Sequence, residues 1–156
     1  MPIRKLKEML DREHIKYVTI RHSPAYTAQA TAQSAHIPGD ELAKTVMLEV
    51  DDKLVMVVLP ASEQLDLDLA GKEMKAKDIR LAEEREFQSS FPDCELGAMP
   101  PFGNLYGFDV YVTEALTNDE RIAFNAGTHE ELLEMEYDDF ARLVQPRVLH
   151  VSSSHA

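Results

Sequence analysis

The sequence predicts an α+β (mixed α/β) fold, because hairpin signals and separate helical segments coexist without strict strand–helix alternation. Two apolar, β-branched runs, Lys44–Val50 and Leu54–Leu59, bracket the polar stretch Glu49–Lys53 and read as a hairpin. Apolar residues at helical spacing begin the chain (Ile3, Leu6, Met9, Leu10) and close it (Phe140, Leu143, Val144). A chain of 156 residues suits one domain with one sizeable core, expected over residues 1–150.

Pro2 suits the first turn of a helix, which the apolar spacing carries to near His14. Tyr17–Ile20 is rich in β-formers and reads as a short strand broken by Ser23-Pro24. Thr27 is placed to cap an Ala-rich helix over Ala28–Ala35, which Pro38-Gly39 ends. The two hairpin strands come next. Each is apolar almost without interruption, so both faces are expected to be buried. Pro60 closes the second strand. Leu65–Leu69 alternates as a short strand would, with a helix lead-in as the alternative. Residues 70–77 read as helical and basic, and Ala82–Ser89 as a helix anchored by Phe87 and stopped at Phe91-Pro92. Asp109–Thr113 alternates as a strand, Arg121–Phe124 forms another stopped by Gly127, and Leu132–Met135 adds one more. Tyr137–Val144 reads as a helix facing the core through Phe140, Leu143 and Val144. The residues after Pro146 read as a tail, with 151–156 disordered.

Composition narrows the function. No apolar stretch approaches the roughly 20 residues that span a bilayer. Met1–Lys7 leads straight into a charged amphipathic pattern without the apolar segment of a signal peptide. Cys94 is the only cysteine, and no Cys/His pair has zinc spacing. A cytoplasmic protein without metal or organic cofactor is expected. The formal net charge of −12 argues against a general electrostatic binder of DNA or RNA. An RNA end could still be accepted if basic residues gather on one face. Arg4, Lys5, Lys7, Arg12, Lys16 and Arg21 are candidates, as are Lys72, Lys75, Lys77 and Arg80, although each alone reads as an ordinary solvated charge.

The most distinctive run is Gly97-Ala98-Met99-Pro100-Pro101-Phe102-Gly103, answered later by Phe124-Asn125-Ala126-Gly127-Thr128. Consecutive prolines fix their own φ and push the preceding residue out of the helical region. The flanking glycines permit backbone angles that a Cβ forbids. The run therefore reads as a stiff loop shaped by its backbone. A third feature is Lys44, which opens an apolar strand directly after a Pro-Gly connector. On position alone its ammonium would snorkel to water.

Ala43–Leu48, Gly97–Phe102 and Ile122–Gly127, in this order, resemble the YbaK/ProX family. These are aminoacyl-tRNA deacylases related to the editing (insertion) domain of bacterial prolyl-tRNA synthetase. The similarity spans from about the first helix to Pro146. The resemblance implies a curved, partly barrel-like mixed sheet flanked by helices. It also implies a trans-editing hydrolase that cleaves the ester of a mischarged aminoacyl-tRNA. Lys44 then becomes the key active-site lysine, holding a phosphate or carbonyl oxygen of the tRNA end. Partners implied are the tRNA acceptor end and, given the acidic balance, a synthetase or elongation factor.

Ester hydrolysis needs a positioned water and stabilisation of the developing oxyanion. Backbone amides at Gly97 and Gly127 are the places where this chain could present such donors. Met99, Pro100, Pro101 and Phe102 are expected to form a stiff pocket wall that admits small residues (alanine, serine, threonine, cysteine) and rejects aromatic ones. Tyr26, Thr27, Ser62, Asn125, Ala126 and His129 complete the expected substrate-binding set. His22 lacks a nucleophile elbow to work with, and nothing in sequence near Cys94 would lower a thiol pKa. The acidic run from Glu130 to Asp139 reads as a solvated face, because calcium-loop spacing is absent. A non-catalytic module of the same fold, binding a small ligand or a synthetase, is the alternative.

Overall fold

The computed structural model describes residues 4–22, 33, 35, 37, 41–95, 97–150 and 152–154. Its centre is a hairpin, β2 (Leu42–Val50) and β3 (Lys53–Pro60), within an eight-stranded mixed sheet. Around it lie β1 (Tyr17–Arg21), β5 (Ile79–Leu81), β6 (Asp109–Thr113), β7 (Arg121–Asn125), β8 (Glu131–Glu136) and β9 (Arg147–Leu149). The strand order is β1-β8-β7-β2-β3-β6-β9, with β5 added to β2. β2 and β7 run parallel, as do β3 and β6, and β6 and β9. The β2–β3 turn is the two-residue Asp51-Asp52, with φ of 49° and 69°, tighter than the Glu49–Lys53 span suggests. Positive φ at both positions matches the right-handed twist of the flanking strands. The Asp51 carboxylate accepts bonds from the Lys77 and Asp78 amides, which ties this turn to the segment leading into β5.

Helix α1 (Arg4–Arg12) buries Leu6, Met9 and Leu10, one apolar stripe at helical spacing. Asp66 caps α2 (Leu67–Glu73) by accepting from the Leu69 amide at 3.1 Å. That cap decides the Leu65–Leu69 stretch in favour of a helix lead-in, with β4 (Glu63–Leu65) just before it. The helix stops at Glu73 rather than residue 77, because Lys75 turns left-handed at φ 57°. The helix predicted over Ala82–Ser89 shortens to α3 (Glu84–Phe87) followed by a 3-10 turn, Gln88–Ser90. α4 (Glu114–Thr117) and β5 carry no sequence expectation. α5 (Tyr137–Val144) has the expected bounds and ends on Gln145 at φ 52°. The stretch after Pro146 is not a free tail. β9 pairs with β6, and β10 (Ser152–Ser154) pairs with β4, which corrects the expected disorder at those residues.

Alternation along the strands sorts the core into two faces. On one face, Ala43 and Met47 of β2 pack with Met56, Val58, Ile122, Phe124, Phe102 and Phe140. On the other, Leu42 packs with Ala61, Ala123 and Leu132, while Leu48 packs with Val55 and Val57. Both faces of the β3 strand are buried, as its unbroken apolar run predicts.

Candidate active site

Strand β2 changes partner along one edge. Leu42 and Ala43 pair with β7, Leu48 to Val50 pair with β5, and Lys44, Thr45 and Val46 between them pair there with no strand among the described residues. Lys44 therefore stands where the sheet opens. Its side chain lies on the face of Leu42, half-buried, and its Nζ donates a long bond of 3.5 Å to the Ala61 carbonyl. Ala61 is itself held by its amide, 2.7 Å from the Leu42 carbonyl. Burial pushes the Lys44 ammonium below the usual lysine range, and the charge of Glu63 partly opposes this. A lysine in this state gains from any anionic or carbonyl oxygen brought to it.

Two acceptors share this neighbourhood. Asn125 ends β7, and the Ala43–Phe124 register places it alongside Lys44 on the same face. Its Oδ1 is buried and has no hydrogen-bond partner among the described residues. Glu63 opens β4, two residues beyond the carbonyl that Lys44 touches, and its Oε1 is likewise buried without a hydrogen-bond partner among the described residues. Buried acceptors are nearly always paired in folded proteins, so two orphans beside one half-buried lysine mark a place prepared for donors. Sequence reasoning assigns Asn125 but not Glu63. Nothing in the local pattern separates Glu63 from the other acidic residues.

The two glycine loops meet at the end of β7. The Glu95 amide donates to the Gly127 carbonyl at 2.7 Å, and the Gly127 amide donates to the Ala98 carbonyl at 2.9 Å. A carboxylate oxygen of Glu95 accepts from the His129 amide at 2.8 Å. Gly97 (φ 85°) and Gly127 (φ 90°) both occupy the left-handed region, where glycine is the default residue. A Cβ on Gly97 would sit 3.4 Å from the His129 ring. Thr45 then fastens the first loop to β2 by donating to the Met99 carbonyl at 3.3 Å. The Gly127 amide is thus already engaged. It holds the loop pair together, where the sequence reading expects it to serve as an oxyanion donor.

The sequence matches the aminoacyl-tRNA editing domain family over residues 22–143. The chain belongs to this family. Solved structures share the fold of this editing domain. A hypothetical protein, APE2540, superposes with a TM-score of 0.84 at 19% identity, covering 96% of this chain and 100% of that one. A protein proposed as a trans-editing enzyme for prolyl tRNA synthetase gives 0.79 at 20% identity, with 96% of each chain covered. A protein from Marinobacter aquaeolei VT8, proposed to act in signal transduction, gives 0.74 at 18% identity, over 96% of this chain and 31% of that one. No curated protein matches the sequence.

Within the editing domain, the expected pocket wall is core. Phe102 is 0% exposed, its ring 5.5 Å from that of Phe124 and 5.4 Å from that of Phe140. Met99, Pro100, Pro101 and Ala126 are buried as well. Their face of the sheet is opposite to that of Lys44, so they shape the loop from behind rather than line the Lys44 side. His129 is buried against Gly97, and Ser62 is exposed between Ala61 and Glu63. Tyr26, Thr27 and most of the predicted Ala28–Ala35 helix lie outside the described residues, although Gln33 and Ala35 are helical. Cys94 packs against the core face opposite Lys44, beside Asp93 and Tyr106, and burial pushes its thiol up to about 12.

Several basic residues named from sequence already have partners. Lys7 pairs with Glu131 at 2.9 Å, and Arg80 bridges Glu49 and Glu86. Lys5 donates to the Leu105 carbonyl and lies over the Tyr106 ring. These cations are engaged within the fold, which leaves fewer of the candidates to meet phosphates.

Proposed function

We propose that this editing domain hydrolyses the ester bond of mischarged aminoacyl-tRNA carrying a small amino acid. The observation that carries the reading is Lys44, half-buried at the sheet opening, its ammonium held among the described residues by one long bond to the Ala61 carbonyl. Membership of the aminoacyl-tRNA editing family supplies the substrate class. An aminoacyl ester is already activated, so positioning and charge stabilisation are enough for turnover. Lys44 exchanges its long contact for a phosphate or carbonyl oxygen of the tRNA end and orients the ester. A water attacks the carbonyl carbon, and the Gly97 amide supplies the oxyanion donor. Gly127 holds that loop in place through its bonds to Glu95 and Ala98. The acidic chain reaches its tRNA with the help of a synthetase or elongation factor.

The preference for a small side chain is supported by the apolar floor around Lys44. Leu42, Ala61, Ala123 and Leu132 are each at most 2% exposed, so the space beneath is already filled. The test is amino-acid release from tRNAs charged with alanine, serine, threonine, cysteine and proline, with wild type and Lys44→Ala side by side. Release of one small amino acid by the wild type, lost in the variant, supports the reading. No turnover by folded wild type on any member points to a non-catalytic binding module.

A further inference from the structure

The acceptors beside Lys44 call for a donor that the hydrolytic scheme above does not use. A tRNA end offers oxygens to a lysine, but it brings no cation to a carboxylate. The aminoacyl group does, because its free α-amino group carries up to three N–H donors and a positive charge. Glu63 Oε1 and Asn125 Oδ1 are both buried and lack hydrogen-bond partners among the described residues. They come from different elements, the start of β4 and the end of β7; register puts Asn125 on the Lys44 face, and the Glu63 charge acts on the Lys44 ammonium. Lys44 donates to the Ala61 carbonyl and, among the described residues, to neither of these two oxygens. An orphaned buried carboxylate oxygen is costly when empty and rewarded when a cationic donor arrives.

We propose that Glu63, assisted by Asn125, receives the α-ammonium of the aminoacyl ester and so confines the site to substrates with a free amino terminus. Lys44 takes the oxygens of the substrate and Glu63 takes its nitrogen. The ester carbonyl, one carbon from the amine, is then held between opposite charges. Esters whose nitrogen is acylated, such as peptidyl-tRNA, would place a neutral amide with one donor and added bulk against Glu63. This assignment rests on the deacylase reading and adds to it a rule for which esters are left intact.

The probe is whichever charged tRNA of the panel above the wild type cleaves fastest, compared with the same tRNA after N-acetylation. The wild type should cleave the free-amine ester at least about tenfold faster, the size of one charge-assisted hydrogen bond. Glu63→Gln keeps the shape and removes the charge. It should slow the free-amine ester and leave the acetylated one unchanged, collapsing the ratio toward one. Asn125→Ala should reduce the ratio less. A merely structural role for Glu63 would slow both esters together and keep the ratio. Equal rates on the two esters by wild type, or an intact ratio in Glu63→Gln, overturn the assignment while leaving the deacylase reading standing. Absence of hydrolysis on every ester of the panel overturns both.

Discussion

The two faces of β2 around Lys44 and Thr45 differ in kind, although the residues are neighbours. The Thr45 face is closed. Thr45 holds the Met99 carbonyl, and behind it Phe102, Phe124 and Phe140 pack into a core from which solvent is excluded. The Lys44 face is open, with a half-buried cation on a weak bond and two buried acceptors without partners among the described residues. Stability is concentrated on the first face. The second is left locally unsatisfied, as sites that bind polar ligands commonly are. The Gly97 loop belongs to both, because its exposed glycine lies against His129 while its Pro-Pro-Phe run is buried in the core.

Lys44→Ala is the sharpest way to break this contrast. Losing a charged donor aimed at the reacting ester costs on the order of a hundredfold to a thousandfold in turnover. The fold should be indifferent, since the bond lost among the described residues is long and part-buried. Single-turnover hydrolysis and a denaturant titration on the same preparations read both quantities. A large loss of stability with the loss of activity would mean that the two faces are not separable.

Phe102→Ala should do the reverse. Emptying a site that is 0% exposed and ringed by aromatics costs about 3–5 kcal/mol of stability. Phe102→Leu, which keeps more of the volume, should melt at a lower temperature yet hydrolyse as fast per folded molecule. A Phe102→Leu protein that is well folded but inactive would restore the Gly/Pro run as a direct wall of the pocket.

How much of this was legible in sequence divides along the same line. Elements with an uninterrupted signal, such as β3, β6 and α5, lie where periodicity and β-branching place them. The short pieces were not legible, because β5, β9 and β10 exist only through their partners β2, β6 and β4. Tertiary pairing stabilises three-residue strands that local propensity would leave as loop. At the site, Lys44, Asn125 and the two glycines were marked by position in distinctive runs. The side to which each side chain turns depends on register, so Phe102 and Lys44 could not be assigned to opposite faces from spacing alone. Glu63 was invisible because its importance is a buried, unbonded oxygen, a property of the fold and not of any motif.

A titration sharpens the electrostatic half of the contrast. Burial lowers the Lys44 value below its ordinary 10.5, and Glu63 works against that lowering. Glu63→Gln should therefore move the Lys44 titration to still lower pH, which NMR of 13C-labelled lysine reads directly. The sign for stability follows. The unfolded chain holds this proton more tightly, so the folded state gains stability as pH rises from the lowered value toward 10.5. A Lys44 value that rises in Glu63→Gln would place the carboxylate elsewhere than beside this ammonium.

The smallest expected effect is at Cys94, whose side chain packs against the core face opposite Lys44. Its sulfur sits 3.7 Å from the Tyr106 hydroxyl and 3.5 Å from an Asp93 oxygen, half-buried. Desolvation is the first cause of its raised pKa, at about 12, and the Asp93 charge adds to it. At neutral pH the thiolate that a nucleophilic mechanism requires is almost absent. Cys94→Ala should thus leave the hydrolysis rate unchanged and cost at most about 1 kcal/mol of stability, the scale of a small packing loss. Alkylation by iodoacetamide at pH 7 should be slow in the native protein and fast once it is unfolded. Rapid native alkylation, or a Cys94→Ala enzyme slowed tenfold, would shift the chemistry away from Lys44 and the sheet opening toward the thiol.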